Sequence, residues 1–180
     1  MAVASVISSN TAVDLAVLGL LAERPRSLHQ LIDCIKLVGG DRFTPTCAFI
    51  EARVASLIDA GCVEPQAGGD RLSATPGGTA HLLRLLRLEI DPGSATLRTF
   101  CTTLKFCLLD LVGADCRREV AAALVAAGRR RVDRLELEAW ASGACPMTER
   151  YLALEQRREA LELRWMEEVM PSEGRGATIA

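Results

Sequence analysis

The chain has 180 residues, 49% apolar and only 4% aromatic, with a formal net charge of −2 and a pI near 5.8. That apolar share suffices for a packed core and excludes general disorder. The near-neutral balance excludes a chain that holds nucleic acid by bulk charge, so any such contact has to come from a local patch.

Abundant Ala and Leu favour helices over a β-sandwich. Residues 1–10 read as a loose lead. Asn10 or Thr11 is placed to cap a first helix, and Asp14 to favour its N-terminal turn. Leu15, Val17, Leu18 and Leu21 give that helix an apolar face. The run from Ala12 to Ala22 lacks a basic leader and is interrupted by Asp14, so it reads as a core helix rather than a signal peptide. No apolar run is long enough to span a membrane. Pro25 stops the helix, and Ser27 caps a second one with Leu28, Leu31, Ile32 and Ile35, ending at Gly39-Gly40.

Thr44-Pro45-Thr46 opens a third helix whose core stripe is Ile50, Val54, Leu57 and Ile58, and Gly61 ends it. Cys62 to Gln66 and Arg71 to Ala74 read as a hairpin joined through Gly68-Gly69. Pro76 fits the first turn of a fourth helix carrying Leu82, Leu83, Leu85, Leu86 and Ile90. Helix, tight hairpin and Pro-started helix outline a winged helix. Asp91-Pro92-Gly93 is the clearest break in the chain. Beyond it Leu97, Phe100, Cys101, Leu104, Cys107, Leu108 and Leu111 follow a helical spacing. A long charged helix from Asp115 to Trp140, a turn from Gly143 to Pro146 and a last helix from Met147 to Met170 complete the pattern. The predicted fold is therefore mainly α: a winged helix-turn-helix with a small β-hairpin wing over 11–90, a helical dimerisation or effector region over 94–170, and a disordered tail over 171–180.

Leu15-Ala16-Val17-Leu18-Gly19-Leu20-Leu21-Ala22-Glu23 resembles the first helix of PadR-type transcriptional regulators. Phe43-x-Pro45, Leu57, Gly61-x-Val63 and Thr75-Pro76-x-Gly78 fall in that family's order, and the apolar helix with Trp165 resembles its C-terminal dimerisation helix. The resemblance implies a cytoplasmic homodimer that binds DNA, a repressor. It also implies room for a small aromatic effector, with Phe100, Phe106, Trp140 and Trp165 as the candidate lining. The chain departs from the family pattern at Ser27-Leu28-His29, where members carry His-Gly-Tyr, and at Ala48-Phe49-Ile50-Glu51-Ala52, which replaces Gly-Thr-hydrophobic-Tyr-Pro.

On the third helix the face opposite the core stripe is Ala48, Ala52, Ala55, Ser56 and Asp59, which offers few hydrogen bonds to base edges. Arg53 flanks it as the base-reading candidate. Arg42, Thr44 and Thr46 at the helix start are candidates for phosphate, and Arg71 is the wing cation. From Asp41 to Thr75, Arg42, Arg53 and Arg71 stand against Asp41, Glu51, Asp59, Glu64 and Asp70, a net −2. Phosphate neutralisation dominates DNA affinity. Two alternatives therefore stay open beside a DNA-binding regulator: a winged-helix protein-interaction or scaffold module without DNA affinity, and a small-ligand sensor.

No Ser-His-Asp arrangement, phosphate loop or acid/base carboxylate pair emerges, so an enzyme is not expected and no cofactor is implied. Arg129-Arg130-Arg131 with Arg134 reads as a solvated helix face, and Arg158 with Glu162 and Arg164 with Glu168 suit i,i+4 pairs. From Met147 to Met170, one apolar stripe holds Tyr151, Leu154, Leu161 and Trp165, and another holds Leu152, Leu163, Met166 and Met170. The seven cysteines include no CxxC pair, and the two histidines, His29 and His81, lie near no cysteine pair. They read as small buried hydrophobes in a reducing compartment, with no metal. Protein purified under reducing conditions should accordingly show seven titratable thiols on denaturation and no stoichiometric zinc or iron by elemental analysis. Metal near one equivalent per chain that survives a chelator would overturn that expectation.

Overall fold

A computed structural model describes residues 6–41, 43–90, 93–141 and 145–169, with the side chains of 139–141 outside the description. The described residues fall into two units, residues 1–120 and residues 121–180. The first is built around α1 (Ser9–Glu23). Every residue from Ala12 to Gly19 is buried, and so is Leu21. A helix apolar all round belongs in the middle of a core, which is why the sequence shows only part of its buried surface as a stripe. Its cap is Ser8, not Asn10 or Thr11. The Ser8 hydroxyl accepts from the Thr11 amide at 3.3 Å, and the Thr11 hydroxyl takes the Ser8 amide at 2.6 Å.

Around α1 stand α2 (Leu28–Gly39), α3 (Cys47–Asp59) and α4 (Pro76–Arg87). The antiparallel sheet has the order β2 (Arg26–Ser27), β4 (Arg71–Ala74), β3 (Val63–Pro65). Ser27 caps α2 and Thr75 caps α4, with Pro76 in the first turn. Gly61 turns the chain out of α3 at φ 68°, which a side-chain-bearing residue would resist. Thr75 then ties that turn to the next helix. Its hydroxyl donates to the Gly61 carbonyl at 2.7 Å and accepts from the Gly78 amide at 3.0 Å. A Cβ at Gly78 would lie 2.0 Å from the Cys62 carbonyl oxygen, so the strand can pass over α4 only because this residue is glycine. Helices α1–α4 with the β3–β4 hairpin form a winged helix.

Several expectations are corrected. Val6–Ile7 is not part of a loose lead: it forms β1, parallel to β5 (Glu89–Ile90), and Ile7 is buried. Ile90 therefore lies on a strand, beyond the end of α4 at Arg87. Ile58 is 37% exposed and outside the core stripe of Ile50, Val54 and Leu57. In α5 (Ala95–Cys107), Leu97, Phe100, Cys101 and Leu104 are buried, whereas Cys107 and Leu111 are exposed. Phe100 packs on Phe43 with ring centroids 4.4 Å apart, and a short 3-10 turn, Leu109–Leu111, follows. The first compact unit thus continues past the Asp91-Pro92-Gly93 break to Val120. Cys62, Cys101 and Cys116 are buried, but Cys47, Cys107 and Cys145 are exposed, so burial explains only some of the thiols.

The second unit pairs the later part of α6 (Ala114–Ala141) with α7 (Pro146–Val169). Arg131 donates to Glu159 at 2.6 Å, and Arg129 reaches Glu167 at 2.7 Å. The expected solvated arginine face is therefore partly an inter-helix seam, with Arg131 only 12% exposed. Arg158 pairs with Glu155 rather than Glu162, while Arg164 and Glu168 do meet at 2.8 Å. Met166 is buried in this unit. Met170, the turn residues 142–144 and the tail lie outside the described residues.

One polar group is buried in the first unit at a cost. Lys105 on α5 is 4% exposed and donates from Nζ to the Leu88 carbonyl. Burial lowers its pKa to about 8, partly offset by Cys101 and Glu89. Burial raises the neighbouring Cys101 thiol to about 12. An unfolded chain holds the lysine proton up to a higher pH than the folded one, so stability rises with pH through about 8. Above the ordinary cysteine range Cys101 acts the other way, because the unfolded thiol ionises first. Urea unfolding should therefore show a gain on the order of 1 kcal/mol between about pH 7 and 9. Lys105→Met should be more stable than the parent at neutral pH and lack that gain. A flat parent profile, or the same rise in the variant, would remove Lys105 as its source.

Candidate nucleic-acid interface

The second and third helices and the hairpin carry the residues that could meet a duplex. Thr46 ends the turn between α2 and α3 in extended backbone, and its hydroxyl accepts from the Phe49 amide at 3.2 Å. That leaves the first amides of α3 at an exposed helix start, flanked by exposed Thr44. Lys36, from the last turn of α2, brings its ammonium 3.2 Å from the Cys47 sulfur. The sequence reading missed this cation. Its signal was position: a lysine in the last turn of the helix preceding α3. Arg42 lies outside the described residues.

Along α3, Ala48, Glu51, Ala52, Ala55, Ser56 and Asp59 are all exposed, as the periodicity predicts. Arg53 is placed differently from the expectation. Its Nε donates to Asp14 Oδ1 at 2.9 Å and its Nη2 to Asp14 Oδ2 at 2.6 Å. The Asp14 side chain is 6% exposed and the Arg53 side chain 23%. The carboxylate raises the arginine pKa further, so the guanidinium stays charged throughout. The sequence carried this signal too. Arg53 sits three residues after Ile50 and four before Leu57, within the buried stripe, and Asp14 interrupts a core helix. A charge on each facing surface calls for a partner. Asp14 accordingly does not serve the helix start, as expected from its place near the first turn. His81 on α4 senses the same pair. Its pKa is lowered first by burial and then by Arg84, with Arg53 adding to the effect and Asp14 opposing it.

Arg71 is exposed at the start of β4, opposite Ser27 of β2, so it stands where the wing joins the N-terminus of α2. The wing loop beyond it carries Asp70 and the exposed Gly68-Gly69. The aromatic candidates are not grouped within one unit. Phe100 is a core residue beside Phe43, and Phe106 lies on the same helix. Trp165 is 46% exposed on α7, and the side chain of Trp140 lies outside the description. Among the described residues, no group of three or more His, Cys, Asp or Glu is placed to hold a metal ion, and no helix is long and apolar enough to cross a membrane.

No protein-family model matches the chain, and no curated protein matches it in sequence. Among solved structures, it is similar to Bacillus subtilis PadR at 18% identity, covering 91% of this chain and 96% of that one, with a TM-score of 0.43. The same protein in complex with operator DNA matches at 17% identity over 87% of this chain and 95% of that one, TM-score 0.38. The Streptococcus mutans UA159 protein smu.1604c matches at 14% identity over 90% and 98% of the two chains, TM-score 0.37.

The start of α3 gives a direct stability test. Thr46→Ala removes the cap and should cost about 1 kcal/mol in urea unfolding. Thr44→Ala, at an exposed position ahead of the cap, should stay within about 0.5 kcal/mol of the parent. Equal effects of the two changes would mean that the cap does not hold the helix start.

Proposed function

We propose that the chain is a DNA-binding transcription regulator, PadR-like, that acts as a cytoplasmic homodimer and represses its target. The observation that carries this reading is the winged helix with an unobstructed α3. Its outward face is lined by exposed small residues, Ala48, Ala52, Ala55 and Ser56, which admit close approach to a groove. Exposed Thr44 and Thr46 at the α3 start, with Arg71 beside the wing, are the groups offered to phosphate, and Arg42, named from the sequence alone, is proposed to join them. Arg53 acts from behind the helix rather than on its face. A homodimer is supported by α7, whose exposed Met147, Tyr151, Leu154, Leu161, Trp165 and Val169 leave a long apolar strip on a soluble-sized chain. A twofold partner would cover that strip and set two α3 helices at a fixed spacing. A small aromatic effector fits Trp165 better than Phe100, which is committed to the core.

A second reading has its own observation. The Asp14–Arg53 pair takes the cation of α3 out of play, and the exposed carboxylates Glu51, Asp59, Glu64 and Asp70 remain. That surface suits a protein-interaction or scaffold module without DNA affinity.

Fluorescence anisotropy with a labelled duplex of the DNA directly upstream of the coding sequence separates the two. The regulator reading expects saturable binding at low salt. Arg71→Ala should weaken it by a similar factor on the upstream duplex and on a scrambled one, because a phosphate contact carries no sequence information. Light scattering at micromolar concentration should give the mass of two chains. No binding at low salt would favour the scaffold reading, and a monomer mass would end the two-half-site model.

A further inference from the structure

Apolar packing alone leaves a helix free to roll. Ile50, Val54 and Leu57 hold α3 in the core, but contacts between aliphatic side chains carry little direction. The Asp14–Arg53 pair carries a great deal. Two nearly parallel hydrogen bonds, at 2.9 and 2.6 Å, align the guanidinium and carboxylate planes as well as their separation. The two residues are 39 positions apart, so the pair joins the central helix α1 directly to α3. The carboxylate is nearly sealed from water, which fixes where the guanidinium must sit. His81 on α4 lies within electrostatic reach of both members of the pair, and Arg84 in turn acts on His81.

We propose that Asp14 and Arg53 form a positioning pair: they set the roll and height of α3 on α1, and Arg53 affects DNA binding only through that setting. This rests on the DNA-binding reading of α3 and adds a determinant of affinity, Asp14, that lies on another helix and faces away from any duplex.

The test uses the full-length chain with Arg53→Met, Asp14→Asn, Arg53→Lys and the double variant Asp14→Leu with Arg53→Met. Anisotropy on the upstream duplex is read across a salt series, and hydrogen exchange is read by peptide. Each single loss should weaken binding at least ~10-fold at fixed salt, as for partners in one network. The slope of log affinity against log salt should stay unchanged. Exchange should quicken in α3 peptides and not in α4 or α7 peptides. The double variant should bind no more weakly than the worse single one, and Arg53→Lys should recover part of the affinity. A slope reduced by about 0.9 in Arg53→Met would identify a phosphate contact and overturn the proposal. Unchanged affinity and unchanged α3 exchange in Asp14→Asn would overturn it as well. If the parent binds no duplex, the DNA reading fails on its own, and α3 exchange decides the pair: faster in both single variants supports it, unchanged refutes it. Should a single variant not fold, the double variant replaces it, since an apolar pair leaves no buried charge. Its α3 exchange and salt slope are then read in the same way.

Discussion

A buried carboxylate in the wall of the central helix is the constraint around which the winged helix is arranged. Asp14 lies among Val13, Leu15 and Val17 on a helix buried nearly all round. A carboxylate there has to be neutralised or paired, and Arg53 pairs it through both oxygens. The magnitudes decide whether Arg53 can leave. Removing one partner of a buried pair costs about 3–5 kcal/mol. A new charge-assisted hydrogen bond at the surface returns about 1.5–3 kcal/mol. The inward position wins, so Arg53 belongs to the scaffold even though it is the cation of the helix most suited to reading bases.

That outcome shapes what the rest of the surface has to supply. With Arg53 turned inward, the outward face of α3 presents methyl groups, one hydroxyl and two carboxylates. Positive charge comes from its surroundings: Lys36 at the end of α2, the exposed α3 start, and Arg71 where the wing meets β2. Were this surface to meet DNA, few phosphate contacts per chain would give a shallow salt dependence and weak binding by one copy. A DNA-binding chain of this composition would gain most from presenting two copies together, where the second contact becomes intramolecular. The exposed apolar strip of α7 is the part of the chain suited to that task.

Local punctuation was legible in the sequence, and long-range partnership was not. Ser27, Thr46, Gly61, Thr75 and Pro76 mark element ends through hydrogen bonds or dihedral limits that act over a few residues, and each stands where the sequence placed it. The hairpin and the exposed face of α3 followed for the same reason. The first cap was misplaced because several small polar residues compete there. Ser8 wins because β1 fixes Val6–Ile7 against Glu89–Ile90 of β5, a pairing distant in sequence that no local pattern reveals. Ile58 and Ile90 failed similarly: apolar residues near helix ends look like core until the neighbouring elements are in place. Of the candidate site, only the exposed placement of Thr44, Thr46 and Arg71 was readable. The role of Arg53 needed the fact that α1 and α3 face each other, although its position within the core stripe already hinted at it.

Proline and glycine cluster at Asp91-Pro92-Gly93 in the sequence, and the first compact unit continues to Val120. Phe100 of α5 packs on Phe43, which precedes α3, so the approach to α3 leans on a residue from a later helix. Lys105 of the same helix donates to the Leu88 carbonyl, just past the end of α4. β5, between α4 and α5, pairs with β1, which leads directly into the Ser8 cap of α1. Cutting the chain at Ile90 would strip Phe43 of its ring partner and leave the Leu88 carbonyl without its donor. The smallest piece that keeps α1 and α3 in their native setting therefore ends near Val120, where the first compact unit ends.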